Sequence, residues 1–183
     1  MTKTIGRYVL AATLGMYLSV LGANPSHAQP AANDKEIEVA GGLFHAEGSD
    51  TGALNVDLAL GYFLTPGWEI GFRQALNYNF IEDATDAWVA TSTPFVNYNF
   101  QFGNVVPFVG GFIGLAWNDR DATGTLGPQG GVKFFFNPQT YLGLRYRYEW
   151  FFNSFERVGR NADTGNHVFN IGLGYLWGGT RKP

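Results

Sequence analysis

Apolar and polar residues alternate with a period of two along most of the chain after residue 35. This spacing is typical of β-strands, in which successive side chains point to opposite faces. Glycine, proline, asparagine or aspartate, the residues that favour turns, bound most of these runs. The pattern predicts eight strands, at about 36–45, 54–64, 67–78, 87–100, 105–117, 125–136, 140–152 and 167–177.

One parity of each predicted strand is mostly apolar. In the last strand it runs through every second residue from Phe169 to Trp177, and in the third strand only Gln74 departs from it. The fifth strand is apolar on both parities. The other parity carries small and polar residues together with nine strand charges. These charges are Glu36, Glu38, Asp57, Glu69, Arg73, Lys133, Arg145, Arg147 and Glu149.

The connections alternate in length along the chain. Three tight turns at 65–67, 102–104 and 137–139 contain glycine or proline, and four longer, charged connections lie near 46–53, 79–86, 118–124 and 153–166. Short turns at one end and longer loops at the other are the pattern of an outer-membrane barrel. No linker divides the region, so the sequence predicts one all-β domain over residues 29–183, an eight-stranded antiparallel up-and-down barrel.

Tryptophan placement decides which face points inward. A soluble barrel would bury the apolar parity, whereas a transmembrane barrel would turn it toward lipid. All five tryptophans fall at strand ends, where the aromatic belts of a membrane protein lie. They are Trp68, Trp88, Trp117, Trp150 and Trp177. The sequence therefore predicts a transmembrane β-barrel with the charged parity inside.

The first 28 residues have the organisation of a secretory signal peptide. Lys3 and Arg7 precede a mostly apolar run over residues 8–23, and Ser26-His27-Ala28 supplies small residues at the positions a signal peptidase reads. A single membrane anchor is the alternative, but the run is shorter than the roughly 20 residues that a spanning helix needs. We expect cleavage after Ala28 and export to the outer membrane of a Gram-negative bacterium.

Composition excludes several classes of function. The chain has no cysteine, which removes disulfides, thiolate zinc sites and cysteine nucleophiles. A net charge of −3 argues against a nucleic-acid partner, which would require a basic surface. No phosphate-binding glycine loop, dinucleotide fingerprint or metal-ligand spacing occurs, so we expect no cofactor.

The last predicted strand carries a short motif. Asn170, Gly172, Tyr175 and Trp177 have the order polar, glycine, hydrophobic, aromatic at the spacing of a bacterial barrel-assembly motif. With the eight alternating strands over residues 36–177, the chain resembles the small outer-membrane barrels of the OmpA and OmpX type. The resemblance implies that the barrel-assembly machinery recognises this segment. Members often end at the aromatic residue, usually phenylalanine, whereas this chain has tryptophan and six further residues.

The interior of an eight-stranded barrel is just filled by side chains. Five carboxylates and four bases on the charged parity are therefore expected to form a network of ion pairs, because unpaired buried charges are costly. Asp57 and Glu69 are the expected partners of the seventh-strand charges, which include Arg147. A narrow ion path through this network is the alternative interpretation.

Two histidines, His45 and His167, fall at the long-loop rim of strands 1 and 8, which are neighbours if the barrel closes. Lipid A-modifying barrels include a deacylase with a Ser/His/carboxylate set in which serine follows histidine by two positions. Glu47 and Phe169 occupy those positions here, so no catalytic residue is assigned. The histidines are interpreted as polar rim residues, with a metal or lipid phosphate contact as the alternative.

The long connections carry nine acidic and three basic residues. Such a surface is either a solvated rim or a place where divalent cations bridge to lipopolysaccharide. We expect a monomeric, non-enzymatic barrel with a structural or surface-interaction role, whose partners are outer-membrane lipids and lipopolysaccharide. A small or gated pore and a lipid A-modifying enzyme are the alternatives.

Overall fold

The computed structural model describes residues 29–45, 52–80, 87–119, 121–152 and 165–179. The predicted signal peptide lies outside these ranges, as do the acidic loop residues other than Asp119 and Asp121. Within these ranges, no helix has the length and apolar character needed to cross a membrane.

Eight antiparallel strands form a closed barrel in which each strand pairs with its neighbours in the chain and β1 pairs with β8. The predicted fold class is confirmed, and each predicted strand boundary lies within three residues of the observed one. The strands are β1 Lys35–His45, β2 Gly52–Phe63, β3 Trp68–Phe80, β4 Ala87–Asn99, β5 Val105–Trp117, β6 Ala122–Phe135, β7 Thr140–Phe151 and β8 Gly165–Trp177.

The two parities of each strand have opposite surroundings. All nine strand charges are buried inside the barrel, whereas apolar residues such as Leu60 and Ile171 remain 51% and 60% exposed on the outer wall. A protein folded in water would bury these apolar side chains. The arrangement is inverted, as a wall that faces lipid requires.

Gln74, the polar exception on the outer wall, has partners there. It is opposite Ser92 in the register of β3 and β4, and the Ser92 hydroxyl donates to its side-chain oxygen at 2.6 Å. The indole N–H of Trp117 donates to the same hydroxyl at 3.1 Å. A small polar patch therefore interrupts the apolar wall across β3, β4 and β5; we call Gln74, Ser92 and Trp117 the outer polar patch.

The short turns are fixed by their own side chains. Asn137 Oδ1 accepts the backbone N–H groups of Gln139 and Thr140, both at 2.9 Å, and Thr65 Oγ1 accepts the N–H of Trp68 at 3.0 Å. Such local bonds offer the backbone a turn instead of a continued strand. The short connections inferred from these residues thus have a local physical cause.

The segment before β1 connects the start of β1 to the end of β8, at the short-turn end of the barrel. Asp34 accepts the backbone N–H of Ala31 at 2.8 Å and that of Gly179 at 2.7 Å. Asn33 has φ of 67° and accepts the hydroxyl of Tyr62 at 2.7 Å. Asparagine tolerates this left-handed backbone better than most residues. These bonds hold the start of β1 next to the end of β8.

Three apolar clusters divide the barrel interior by height. The one nearest the short turns, which we call the lower layer, consists of Phe63, Val106, Phe135, Tyr141 and Leu176. The middle layer contains Ala59, Phe95 and Phe112. The layer nearest the long loops contains Val89 and Ala116, with Phe151 packed against them. The buried charges are therefore enclosed between apolar layers.

Gly174 makes room for the lower layer, and replacing it should be costly. It is opposite Tyr141 in the register of β7 and β8, and a Cβ there would lie 2.0 Å from the tyrosine ring. Gly174→Ala should lower the free energy of unfolding by about 1–3 kcal/mol through overpacking. Denaturant unfolding of the refolded protein in lipid vesicles would measure this loss.

Gly42→Ala is the matched control, because a Cβ at Gly42 would meet nothing closer than 4.0 Å. Its effect should stay within about 0.5 kcal/mol. Equal losses for the two variants would contradict the tight packing of Tyr141 against β8.

Candidate functional site

The buried charges of the interior form two groups joined by amide side chains. The group nearer the short turns centres on Lys133 of β6. Its ammonium Nζ lies 2.5 Å from Glu36 Oε2 on β1 and 3.0 Å from Glu69 Oε2 on β3. Both carboxylates and the ammonium are at most 1% exposed. Lys133 thus links β6 to β1 and β3, which are not its neighbours in the barrel.

Arg145 and Glu38 form the second contact of this group. Arg145 Nη1 lies 2.7 Å from Glu38 Oε1, and Arg145 Nη2 donates to Glu38 Oε2 at 2.9 Å. The Tyr141 hydroxyl donates to Glu38 Oε2 at 2.8 Å. Arg145 therefore makes one charge-assisted hydrogen bond to Glu38, and its Nη1 adds a close ionic contact to the other carboxylate oxygen.

The second group lies nearer the long loops and centres on Arg147. Its Nη1 donates to Asp57 Oδ2, and its Nε donates to Glu149 Oε1 at 2.8 Å. Asn170 Nδ2 donates to the same Asp57 oxygen at 2.5 Å, and Arg73 Nε lies 3.9 Å from it. Asp57 is therefore shared by three side chains from β3, β7 and β8.

Two uncharged residues connect the groups. Arg73 Nη1 donates to Gln129 Oε1 at 2.8 Å, and Gln129 Nε2 donates to Asn97 Oδ1 at 2.6 Å. Asn97 Nδ2 then donates to Glu69 Oε2 at 3.3 Å. Contacts consequently run from Glu149 to Glu36 through the barrel; we call this series the interior polar chain.

Sequence reasoning identified the charged members of this chain but not the amides or all of the pairings. Asp57 does contact Arg147, as expected. The expectation that Glu69 pairs with a charge of β7 was wrong, because its ion-pair partner is Lys133 of β6. Gln129 and Asn97 lie on the same polar parity as the charges. That parity was the available signal for them, but their partners depend on barrel stagger.

Aromatic rings complete the surroundings of the bases. Lys133 Nζ lies 5.0 Å from the ring centre of Phe63 and 5.1 Å from that of Tyr141. Arg73 lies 4.9 Å from the ring centre of Phe95. A cation over an aromatic face is stabilised by the ring quadrupole, most strongly away from water. These inward-facing rings were not predicted as part of the site.

Inside the barrel, the acidic and basic side chains neutralise one another. Each of the nine charges has at least one oppositely charged side chain within 4.0 Å. Pairing of this kind offsets part of the cost of burying each charge. The described residues contain no group of three or more histidine, aspartate or glutamate side chains able to hold a metal ion.

Comparison with known proteins decides the family. The model of the outer membrane protein beta-barrel domain matches residues 16–176. The chain belongs to the outer membrane protein beta-barrel family. The resemblance inferred from the sequence is thus confirmed, and the short turns are assigned to the periplasmic side, as in bacterial outer-membrane barrels.

Two solved outer-membrane barrels share the fold at low sequence identity. Neisserial surface protein A has a TM-score of 0.53 and 16% identity, with 78% of this chain and 93% of that chain covered. The Yersinia pestis outer membrane protein Ail has a TM-score of 0.51 and 13% identity, with 79% and 99% covered. No curated protein sequence matches the chain significantly.

The rims of this outer-membrane barrel carry the tryptophans at the two strand ends. Trp68 packs edge-on against Tyr98 with ring centres 5.1 Å apart, and Trp88 packs edge-on against Trp117 at 5.7 Å. Trp150 is 44% exposed. Amphipathic rings at these heights suit the two membrane interfaces.

The segment predicted as the assembly motif forms the end of β8 that pairs with β1. Tyr175 and Trp177 stack on the outer wall with ring centres 6.3 Å apart. Asn170 instead points inward to Asp57, and a Cβ at Gly172 would lie 2.6 Å from Ala40. The residues of the motif therefore have structural roles in the barrel.

His167 has a phenol as its described partner. Its Nδ1 lies 2.9 Å from the Tyr146 hydroxyl, and its ring packs edge-on against Tyr148 at 4.8 Å. The pairing of β1 with β8 runs from Lys35 and Trp177 only as far as Gly41 and Ile171. The His45 side chain lies outside the described part of the chain, so a contact between the two histidines stays a prediction.

Proposed function

We propose that this chain is a sealed, non-catalytic outer-membrane barrel with a structural or surface-interaction role in the cell envelope. The observation that carries the proposal is the lower layer of the interior. Phe63, Val106, Tyr141 and Leu176 are 0% exposed there, and Phe135 is 4% exposed. An ion leaving the interior polar chain toward the periplasm would have to cross this buried apolar layer.

The partners that fit such a barrel are lipids and envelope components. The protein reaches the membrane through a signal peptide cleaved after Ala28, and the barrel-assembly machinery inserts it as a monomer. Its outer wall contacts membrane lipids, and its acidic loops face lipopolysaccharide. No catalytic role is assigned, because the described partner of His167 is Tyr146 rather than a serine or a carboxylate.

Conductance across a planar bilayer tests whether the barrel is sealed. The refolded protein should show no discrete current steps, because side chains fill the lumen of an eight-stranded barrel. A Phe63→Ala, Phe135→Ala variant removes two rings of the lower layer and should show brief conducting events. Phe102→Ala, at an exposed turn, is the control and should behave like the unmodified protein.

Steady current steps from the unmodified protein would overturn the sealed barrel in favour of the small pore. Conducting events in the double variant but not in the unmodified protein would link the current to the lower layer. Identical silence from both the double variant and the unmodified protein would place the barrier elsewhere in the interior polar chain.

A further inference from the structure

The buried strand charges include one more carboxylate than base, and the excess lies at one end of the barrel. The group centred on Arg147 pairs two carboxylates with two bases. The group nearer the short turns, which we call the lower group, has three carboxylates and two bases. Its members are Glu36, Glu38, Glu69, Lys133 and Arg145. The lower group as a whole therefore carries one excess negative charge.

The excess does not belong to Glu38. Its Oε1 lies 2.7 Å from Arg145 Nη1, and its Oε2 accepts hydrogen bonds from Arg145 Nη2 and the Tyr141 hydroxyl. Glu36 and Glu69 instead share one base, because Lys133 Nζ contacts the Oε2 atom of each. The excess negative charge is therefore shared by Glu36 and Glu69.

The second oxygens of these two carboxylates converge on one space beside β2. Glu36 Oε1 and Glu69 Oε1 are both buried and have no hydrogen-bond partner among the described residues. Gly61 lies opposite Glu36 in the register of β1 and β2. A Cβ on Gly61 would lie 3.6 Å from Glu36 Oε1 and 3.0 Å from Glu69 Oε1. The two unpartnered oxygens thus face the space that this glycine leaves open.

The donors around the two carboxylates are distributed unequally. Glu69 Oε2 accepts from Lys133 at 3.0 Å, from Asn99 at 3.1 Å and from Asn97 at 3.3 Å. Glu36 Oε2 accepts from Lys133 at 2.5 Å as its described donor. Hydrogen bonds donated to a carboxylate stabilise its charged form. Glu69 is therefore the better stabilised anion of the two.

We propose that the lower group binds one proton, carried by Glu36 Oε1 and donated toward Glu69 Oε1. A buried charge without compensation takes up a proton rather than stay ionised, and two carboxylates that share a site commonly hold one proton between them. The proton balances the lower group and gives Glu69 Oε1 a donor. Two converging oxygens favour a proton over a divalent cation, which takes about six or more oxygen ligands.

The surroundings of Glu36 determine what the proton responds to. The titratable side chains that face it come from four strands: Glu38 of β1, Glu69 of β3, Lys133 of β6, and Tyr141 and Arg145 of β7. Its ladder neighbours, Gly61 of β2 and Leu176 of β8, are uncharged. Leu176 belongs to the lower layer, so the proton lies among apolar side chains.

The pH dependence of unfolding tests the proposal. A glutamate exposed in the unfolded chain is ionised above about pH 5, so unfolding at neutral pH releases the proton that Glu36 holds. The folded state then binds one proton more than the unfolded state, and stability falls as pH rises. For the full chain refolded into zwitterionic lipid vesicles, the unfolding constant in urea should rise about tenfold per pH unit between about pH 6 and pH 8.

Glu36→Gln should remove this pH dependence, because its amide replaces the protonated acid and still donates toward Glu69. Glu149→Gln is the matched control: Glu149 is also 1% exposed, but it lies in the balanced group and its replacement should keep the slope. Comparison of slopes between variants cancels the contribution of the histidines. A flat profile for the unmodified protein, or the same slope in Glu36→Gln, would overturn the proposal.

Infrared spectroscopy provides a second measurement that does not require a variant to fold. Protein labelled with ¹³C-glutamate should show the carbonyl band of one protonated carboxylic acid at neutral pH, and this band should disappear at alkaline pH. Glu69→Gln should also abolish the band, because Lys133 then faces a single carboxylate and Glu36 becomes ionised.

Absence of the band from the unmodified protein at pH 6 would overturn the bound proton. Stability that rises with sodium concentration at constant ionic strength, without the band, would assign the compensating charge to a bound cation and would also overturn it. Both measurements are independent of conductance, so their failure leaves the sealed barrel to be decided by its own test.

Discussion

Arg147→Ala should lower the free energy of unfolding by about 3–5 kcal/mol, because it leaves Glu149 buried without its base and leaves Asp57 with only the more distant Arg73. Arg147 is 2% exposed and contacts both carboxylates directly. Equilibrium unfolding in guanidinium, with the protein refolded into lipid vesicles, measures the change from the transition midpoint and slope.

Lys35→Ala is the control for this loss. Lys35 is an exposed base at the first position of β1, and its removal should change stability by less than about 0.5 kcal/mol. Arg160, a predicted loop residue, lies outside the described residues and is a less defined reference. Similar losses for Arg147→Ala and Lys35→Ala would mean that β7 does not present its charges to a closed interior.

Leu58→Arg should destabilise the barrel by about 2–4 kcal/mol, the cost of an arginine at the bilayer midplane on a lipid-facing wall. Leu58 lies midway along β2 and is 43% exposed on the outer wall. In a protein surrounded by water, the same change at so exposed a position would cost almost nothing. The substitution therefore tests directly whether the outer wall faces lipid or water.

Phe102→Arg serves as the matched comparison. Phe102 is also apolar and is 69% exposed, but it lies in a short turn outside the strands, where the cost should fall to about 0–1 kcal/mol. Unfolding in vesicles of defined thickness gives both values. A larger loss at Phe102 than at Leu58 would mean that the hydrocarbon region is placed wrongly along the barrel.

The strands were predictable because the pattern that indicates each strand lies within that strand and its turns. Alternation gives the face of every residue, and turn residues such as Asn137 act on their immediate neighbours, so both can be recognised within a short window of sequence. The pairing of charges inside the barrel cannot be recognised from a short window of sequence. Lys133 reaches Glu69 across 64 residues of chain, and the meeting depends on strand tilt and stagger.

The lower layer was missed for a related reason. Phe63 and Tyr141 lie on the parity that carries charges elsewhere, and alternation alone interprets them as exceptions to a polar interior. Their place follows from a neighbour on another strand, since Gly174 leaves space for the Tyr141 ring. A rule that counts apolar residues on one strand has no access to such a pairing.

The interior polar chain also bears on how the barrel enters the membrane. Its contacts join partners that are far apart in the chain, 97 residues for Lys133 with Glu36 and 90 for Arg147 with Asp57. A fragment of four strands therefore holds charges whose partners are still missing, and hydrocarbon penalises each of them. A partly inserted barrel would therefore carry the cost of unpaired charges. We expect membrane insertion and barrel closure to occur together, so that the charges leave water as pairs.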